Sequence, residues 1–141
     1  GEKLGVISSS LFFYQQSLIS NVFNKTNQNY KILQNKAIEL DLKCPIIERE
    51  NEFIVSPRFS ILVDQKQIGL ILKIGKEIKV EVGRWFDQSP PSKYLLRSKV
   101  FSCANSKNIS ERIINIPCHW TLTENDMEKL TMFLTLISKI K

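Results

Sequence analysis

The sequence predicts an α+β fold with a long N-terminal helix, a small and mostly antiparallel sheet of about three strands covered by helices, and a C-terminal helix. Apolar residues recur at helical spacing between about Leu11 and Leu40, and again between Glu124 and about Ile140. Between these two segments, short runs alternate apolar and polar residues as strands do. A helix at each end and strands in the middle indicate a small sheet that packs against helices.

The first helix is predicted from about Leu11 to Leu40, after serines 8–10 that can supply a capping hydroxyl. The stretch from Asn24 to Asn29 is polar and made of weak helix formers, so a bend or a break is expected there. Pro45 ends the helical region, because the residue before a proline avoids helical angles. One broad apolar stripe runs through Leu11, Tyr14, Leu18, Val22, Tyr30, Leu33, Ala37 and Leu40.

The next segment predicts a strand followed by a short helix. The strand opens at Pro57, and Asp64 can cap a helix from about Gln65 to Lys76. The strand alternates Phe59, Ile61 and Val63 with Arg58, Ser60 and Leu62, and the inward residues of the helix are Ile68, Ile71 and Leu72.

A second strand is predicted from the alternation of Ile78, Val80, Val82 and Arg84 with Lys79, Glu81 and Gly83. It runs into Trp85 and Phe86. Residues 87–92 form a loop, because the two prolines in that stretch cannot lie inside a central strand. A strand, a short helix and a second strand suggest a compact βαβ or split-sheet arrangement.

The C-terminal part predicts a short helix, a short strand and a final helix. The short helix runs from Ser106, its cap, to Arg112, and the final helix runs from about Glu124 to Ile140. Thr123 and Asp126 have the spacing of a capping box. The strand contains Ile113, Ile114 and Ile116 and stops at Pro117, and the buried stripe of the final helix is Met127, Leu130, Phe133, Leu134 and Ile137.

Length and charge exclude several classes of protein. The chain has 141 residues, a length that suits one domain or one domain with an appended helix. Its formal charge is +6. The basic residues are dispersed, so no nucleic-acid partner is predicted, and no glycine-rich phosphate loop occurs. The longest apolar runs, such as residues 68–72, fall far short of the ~20 residues that span a membrane. With no signal-peptide pattern, the expected location is cytoplasmic.

The three cysteines, Cys44, Cys103 and Cys118, predict neither a disulfide framework nor a zinc site, since their number is odd and no CxxC pair occurs. The single histidine, His119, directly follows Cys118. Adjacent residues of a strand point in opposite directions, so a nucleophilic pair between these two is not expected. Free thiols in a reducing compartment are the preferred interpretation.

Two stretches of the sequence resemble the C-terminal small domain of the DegT/DnrJ/StrS family of PLP-dependent sugar aminotransferases. SERIINIPCHWTLTENDMEKL (residues 110–130) is similar to the closing signature of that family, and KVEVGRWFDQSPP (residues 79–91) is similar to its second small-domain strand and the loop that follows. The long first helix resembles the helix that links the two domains. The signature is matched in order by Ile116, Pro117, His119, Leu122, Thr123, Glu124 and Asp126.

The resemblance implies that residues 1–44 are a linker-helix region and that residues 45–141 are the α+β small domain. It implies no cofactor in this chain. Pyridoxal phosphate (PLP) and the lysine that binds it would belong to a large domain, in the same or a separate chain. The complete protein would be a homo-oligomer that moves an amino group to a keto-sugar nucleotide. This chain alone is not expected to be catalytic.

The resemblance also suggests which residues form a wall of the substrate cleft. Aromatic surface for a sugar ring would come from Trp85, Phe86 and Tyr94, and a diphosphate would meet cationic side chains. The candidate substrate-binding residues are Arg84, Trp85, Phe86, Tyr94 and His119, with Lys93 and Arg97 as further cations near the diphosphate. Five of these residues have a structural alternative: burial for Trp85 and Phe86, an exposed or ion-paired position for Arg84 and Arg97, and backbone hydrogen bonding for His119.

Two other functions remain open at this point. The chain could be a stand-alone, non-enzymatic binding or assembly module, with its long helix packed on a partner. A nucleic-acid binder is suggested only by the net charge of +6. If the chain is a small domain without its large domain, an apolar patch along the first helix should be exposed at Phe12, Phe13 and Phe23, and the chain should self-associate there.

Overall fold

A computed structural model of the chain describes residues 6–45, 54–84 and 104–140, and it confirms the α+β class. A 3₁₀ turn, Gln65–Gln67, precedes the second helix. The helices are α1 (Val6–Glu39), α2 (Ile68–Glu77), α3 (Ala104–Arg112) and α4 (Glu124–Ser138), and the strands are β1 (Arg58–Leu62) and β2 (Ile113–Pro117). None of these helices is both long and apolar enough to cross a membrane.

Among the described residues the sheet contains two antiparallel strands, β1 and β2, where about three were predicted. Their register runs from Arg58 opposite Pro117 to Leu62 opposite Ile113. One face of the pair is fully buried and packs against the helices, which confirms the predicted alternation of β1. The side chains of that face are Phe59, Ile61, Ile114 and Ile116.

The prediction of a strand over residues 78–84 is wrong, because Gly83 alone of these residues pairs with the sheet. Gly83 and Asn115 exchange two backbone hydrogen bonds of 2.8 Å. The first part of the segment instead closes α2: Lys79 has a φ of 59°, and the Val80 amide donates to the Gly75 carbonyl at 2.8 Å. This is a Schellman cap, and it is formed by the residues with which the predicted strand would have begun.

Helix α1 runs as one element through the polar stretch where a bend or break was expected. The stretch is in fact its packed part, since Thr26, Asn27 and Asn29 are buried. Both asparagine side chains form hydrogen bonds outside the helix: Asn27 accepts from the Ile54 amide at 3.0 Å, and Asn29 donates to the His119 carbonyl at 2.9 Å. Tertiary hydrogen bonds thus outweigh the weak helix propensity.

The predicted apolar stripe of α1 lies in the core only in its C-terminal half. Tyr30 meets Phe59 of β1 edge to face, with ring centroids 5.1 Å apart. Further along, Leu33 and Ala37 are also buried. Residues 11–23, which we call the arm, expose their large apolar side chains instead, and no charged residue occurs between Lys3 and Lys25. The exposed set is Leu11, Phe12, Phe13, Tyr14, Leu18, Ile19 and Phe23.

The C-terminal elements match the prediction, apart from one helix cap. In α4 the predicted stripe is buried, and Thr123 and Asp126 form the capping box. Ser106 lies within the first turn of α3 instead of capping it, because that helix begins at Ala104. A serine is compatible with several positions at a helix start, so its presence does not fix the boundary.

Candidate functional site

A cleft of about 210 Å³ lies between the segment that follows α2 and the start of α4. It contains His119, one of the residues predicted to bind substrate. Lys79 and Glu81 line it from the segment after α2, and Asp126 and Lys129 line it from α4. Its remaining walls are apolar or backbone, from Val80, Pro117, Leu122 and Leu130.

The position of His119 is set by the turn that joins β2 to α4. Its carbonyl oxygen accepts hydrogen bonds from the Asn29 side-chain amide at 2.9 Å and from the Leu122 amide at 3.3 Å. The ring nitrogen Nδ1 lies 2.7 Å from the Thr121 hydroxyl. With Nδ1 engaged, Nε2 is the ring nitrogen that remains for a ligand, and it can form a hydrogen bond there.

Cys118 faces the core and does not pair with the neighbouring histidine. Its thiol donates to the Ser56 carbonyl at 2.8 Å, and its amide donates to the Pro57 carbonyl at 2.9 Å. Burial raises the pKa of the Cys118 thiol to about 12, against the opposing effect of the Arg58 charge. Since the thiolate is the reactive form, this cysteine is suited to packing and not to nucleophilic attack.

The cleft carries both signs of charge, but its two carboxylates already have partners. Glu81 forms an ion pair with Arg58. The Asp126 carboxylate accepts hydrogen bonds from the Thr123 amide at 3.0 Å and from the Thr123 hydroxyl at 2.7 Å, and these lower its pKa. In the described part of the chain, no ion pair engages Lys79, and Lys129 acts on the Asp126 carboxylate only through its charge, which also lowers the pKa of that group. The site can therefore supply two ammonium groups and an imidazole to an anion.

Of the two predicted substrate-binding residues that the structure describes, His119 lines this cleft and Arg84 does not. Arg84 is half-buried, and its Nε has no hydrogen-bond partner. Trp85, Phe86 and Tyr94 lie outside the described residues, as do Lys93, Arg97, Cys103 and the predicted loop 87–92.

Lys79 and Lys129 were not predicted as site residues. Lys129 lies three residues after Asp126, hence on the same side of α4, and this spacing was available in the sequence. For Lys79 no local signal exists, because its position depends on the cap of α2. A left-handed backbone at a lysine is uncommon, so Lys79 is recognisable only from the structure.

The described lysines do not fit the requirements of a PLP Schiff base. Such a lysine needs a desolvated pocket that lowers its pKa. Every lysine whose side chain the structure describes is exposed or half-exposed. Residues 6–45, 54–84 and 104–140 contain no group of three or more side chains able to hold a metal ion. What the described site offers is binding chemistry for an anion.

Thr123→Ala should lower the free energy of unfolding by about 1 kcal/mol at pH 7, because it removes the cap of α4. The lowered pKa of Asp126 sets the pH dependence of this effect. A carboxylate with a depressed pKa stabilises the fold above its unfolded pKa of about 3.9, and the contribution disappears as the pH falls through the folded value. The difference between variant and wild type should therefore shrink below about pH 4.

Urea unfolding at pH 7 and pH 3 measures this effect. Thr131→Ala is the control, since its hydroxyl bonds only the Glu128 carbonyl one turn earlier in α4, at 2.9 Å. The control should stay within about 0.5 kcal/mol of wild type at both pH values. An equal effect of Thr123→Ala at pH 7 and pH 3 would contradict the assignment of the Asp126 shift to the capping box.

Solved sugar aminotransferases share this fold. A DegT/DnrJ/EryC1/StrS aminotransferase from Brucella abortus matches with a TM-score of 0.72 and 15% identity, over 97% of this chain and 36% of its own. Spr1654 from Streptococcus pneumoniae, assigned as a sugar aminotransferase and solved in its PMP form, matches with a TM-score of 0.70 and 13% identity, over 94% of this chain and 35% of its own. CalS13 from Micromonospora echinospora, a sugar aminotransferase, matches with a TM-score of 0.65 and 13% identity, over 86% of this chain and 32% of its own.

These matches bear out the resemblance seen in the sequence at the level of the fold. They are consistent with a C-terminal domain of that family. No family model matches the sequence, and no curated protein matches it. The chain spans about a third of the length of the structures it matches, 36% for the Brucella abortus enzyme.

Proposed function

We propose that this chain is the small domain of a PLP-dependent aminotransferase-like protein that acts on keto-sugar nucleotides. One observation carries the proposal: the fold matches over 97% of this chain but only 36% of the Brucella abortus aminotransferase. A protein of that size would have room for a second domain that supplies PLP and its lysine. In this proposal the small domain forms one wall of the substrate cleft and is not catalytic alone.

The exposed arm of α1 supports a large domain as the partner. Phe12 and Phe13 are 61% and 65% exposed, and the arm has no charged residue. Interface cores are depleted of charged residues and enriched in aromatic ones. A helix that exposes apolar side chains on several sides needs more cover than a monomeric surface gives it. The large domain, in the same or a separate chain, would provide that cover, and the assembly would be a homo-oligomer.

The cleft at His119 supports a role in holding the diphosphate of the substrate. Lys79 and Lys129 would neutralise phosphate oxygens, and His119 Nε2 would hydrogen-bond to one of them. These residues bind and orient the nucleotide and leave the amino transfer to the large domain. Arg84 and the aromatic residues Trp85, Phe86 and Tyr94 stay proposals for the sugar side of the same substrate.

NMR of the 141-residue chain with UDP as the probe tests this role, because the single histidine gives one set of imidazole signals. UDP should shift the His119 signals. Lys79→Gln and Lys129→Gln should each weaken UDP binding about tenfold, which corresponds to about 1.4 kcal/mol. Lys73→Gln is the matched control: Lys73 is an exposed lysine of α2 that does not line the cleft. An absence of shifts, or an equal loss in the control, would overturn the role of the cleft.

The size of the native polypeptide separates the proposal from its alternative. An antibody against this domain should detect a band several times heavier than 16.3 kDa in the source cell. The purified chain, mixed with PLP, should show no absorption band of an internal aldimine. A native band at 16.3 kDa would instead favour a stand-alone binding or assembly module that uses the arm to hold its partner.

A further inference from the structure

We infer that Asn29 is a positioning residue for the cleft: its side-chain amide holds the backbone carbonyl of His119 and thereby fixes where the imidazole lies. The Nδ2 of Asn29 donates to the His119 carbonyl at 2.9 Å, across 90 positions of sequence. The inference rests on the proposed function for the role of His119 as a ligand contact. The positioning itself can be measured without any ligand.

The burial of Asn29 is difficult to explain by stability. Asn29 is 0% exposed, lies in the interior of α1, and has an Oδ1 atom without a hydrogen-bond partner. Asparagine is a weak helix former, and a buried acceptor without a donor destabilises the folded state. An apolar side chain of similar size would avoid both costs beside the buried Leu33 and Tyr30. The gain from asparagine at this position is the hydrogen bond to the turn of His119.

That hydrogen bond ties the turn to α1. The other described donor to the His119 carbonyl is the Leu122 amide, at 3.3 Å, which belongs to the same turn. The Thr121 hydroxyl that lies beside the imidazole also belongs to it. Upstream, Cys118 is bonded to Pro57. Without Asn29 the turn keeps its internal bonds but loses this bond to the helix, so the imidazole can shift relative to Lys79 and Lys129.

Asn27 provides a matched comparison two residues away. It is also a buried asparagine of α1, and its Oδ1 accepts from the Ile54 amide at 3.0 Å. It therefore ties a different segment to the same helix and does not contact His119. Substitution at either position removes a buried hydrogen bond of α1, but only substitution of Asn29 affects the turn that carries His119.

The test is NMR of the His119 imidazole in Asn29→Leu, Asn29→Ser and Asn27→Leu. Asn29→Leu should unfold cooperatively with a melting temperature at or above that of the wild type. Without ligand, both Asn29 variants should shift or broaden the His119 signals, and Asn27→Leu should leave them unchanged. Affinity for UDP should fall about tenfold in the Asn29 variants only, a loss of about 1.4 kcal/mol.

Unchanged His119 signals in either folded Asn29 variant would overturn the inference. So would an equal change in Asn27→Leu, because this would make the effect a general response to loss of a buried bond. If Asn29→Leu fails to fold, Asn29→Ser serves as the test, since it removes the side-chain amide that bonds His119 without adding volume. Failure of the wild type to bind UDP would overturn the role of the cleft and leave the positioning result standing.

Discussion

The isolated chain should self-associate through its arm, and the triple substitution Phe12→Gln, Ile19→Gln and Phe23→Gln should return it to a monomer. These three side chains are 61%, 46% and 43% exposed, and they lie along one side of α1 at spacings of seven and four residues. Burial of one such side chain stabilises a complex by about 1.5–3 kcal/mol. Loss of all three should weaken association at least roughly a hundredfold. Sedimentation velocity over a range of concentrations measures the change.

The control carries three glutamine substitutions at apolar residues of similar exposure outside the arm: Ile38→Gln, Leu70→Gln and Met132→Gln. If association depends on the arm, the control should behave as the wild type. A wild-type chain that stays monomeric at high concentration would contradict the prediction. It would also remove the exposed arm as support for a missing large domain. An equal loss of association in the control would indicate non-specific hydrophobic contact.

The strands and helices that bury one face were predictable from the sequence, because the spacing of apolar residues identifies that face. In β1 the alternation around Phe59 and Ile61 identifies the face that packs on the helices. In α4 the stripe that includes Leu130 and Phe133 is the buried stripe of the structure. The capping box at Thr123 was predictable too, since it depends on two residues three positions apart.

Helix α1 shows where periodicity fails. An apolar stripe predicts burial along the whole helix only if other elements pack against its full length. The described elements pack only against the half from Thr26 onward. Two asparagines are buried in that half, and their side chains form hydrogen bonds with segments outside the helix, from the Ile54 amide and to the His119 carbonyl. The apolar residues of the other half are exposed in the described structure, so periodicity alone did not show that nothing among the described residues covers them.

The candidate site could be predicted only in part, because its residues come from separate segments. His119 was found through a resemblance that covers residues 110–130. Lys79 enters the cleft through the left-handed cap of α2, and alternation of the same residues predicted a strand. Asn29 contacts the turn of His119 from a position 90 residues away in the sequence. Contacts of this kind depend on the tertiary fold, which local patterns do not encode.

Gly75→Ala should lower the free energy of unfolding by about 1–3 kcal/mol, through overpacking at the point where the chain returns after α2. A Cβ at Gly75 would overlap the Val82 side chain and lie 3.3 Å from the Val80 carbonyl oxygen. That carbonyl belongs to the turn that carries Lys79, so a shift of the Val80 backbone to relieve this close contact would move the turn as well. Urea unfolding measures the loss, and weaker UDP binding should accompany it if the turn shifts.

Gly69→Ala is the matched control on the same helix. A Cβ at Gly69 meets nothing within 4 Å, so alanine should raise the free energy of unfolding by about 0.5–1 kcal/mol through its higher helix propensity. The free energy of unfolding should therefore fall in Gly75→Ala and rise in Gly69→Ala, and a rise in both variants would contradict the close packing at Gly75.

Val82→Ala should reduce the cost of Gly75→Ala, because it removes the overlapping methyl group. A double-mutant cycle measures that coupling, and its absence would mean that the backbone at Val80, and not the Val82 side chain, requires glycine at position 75.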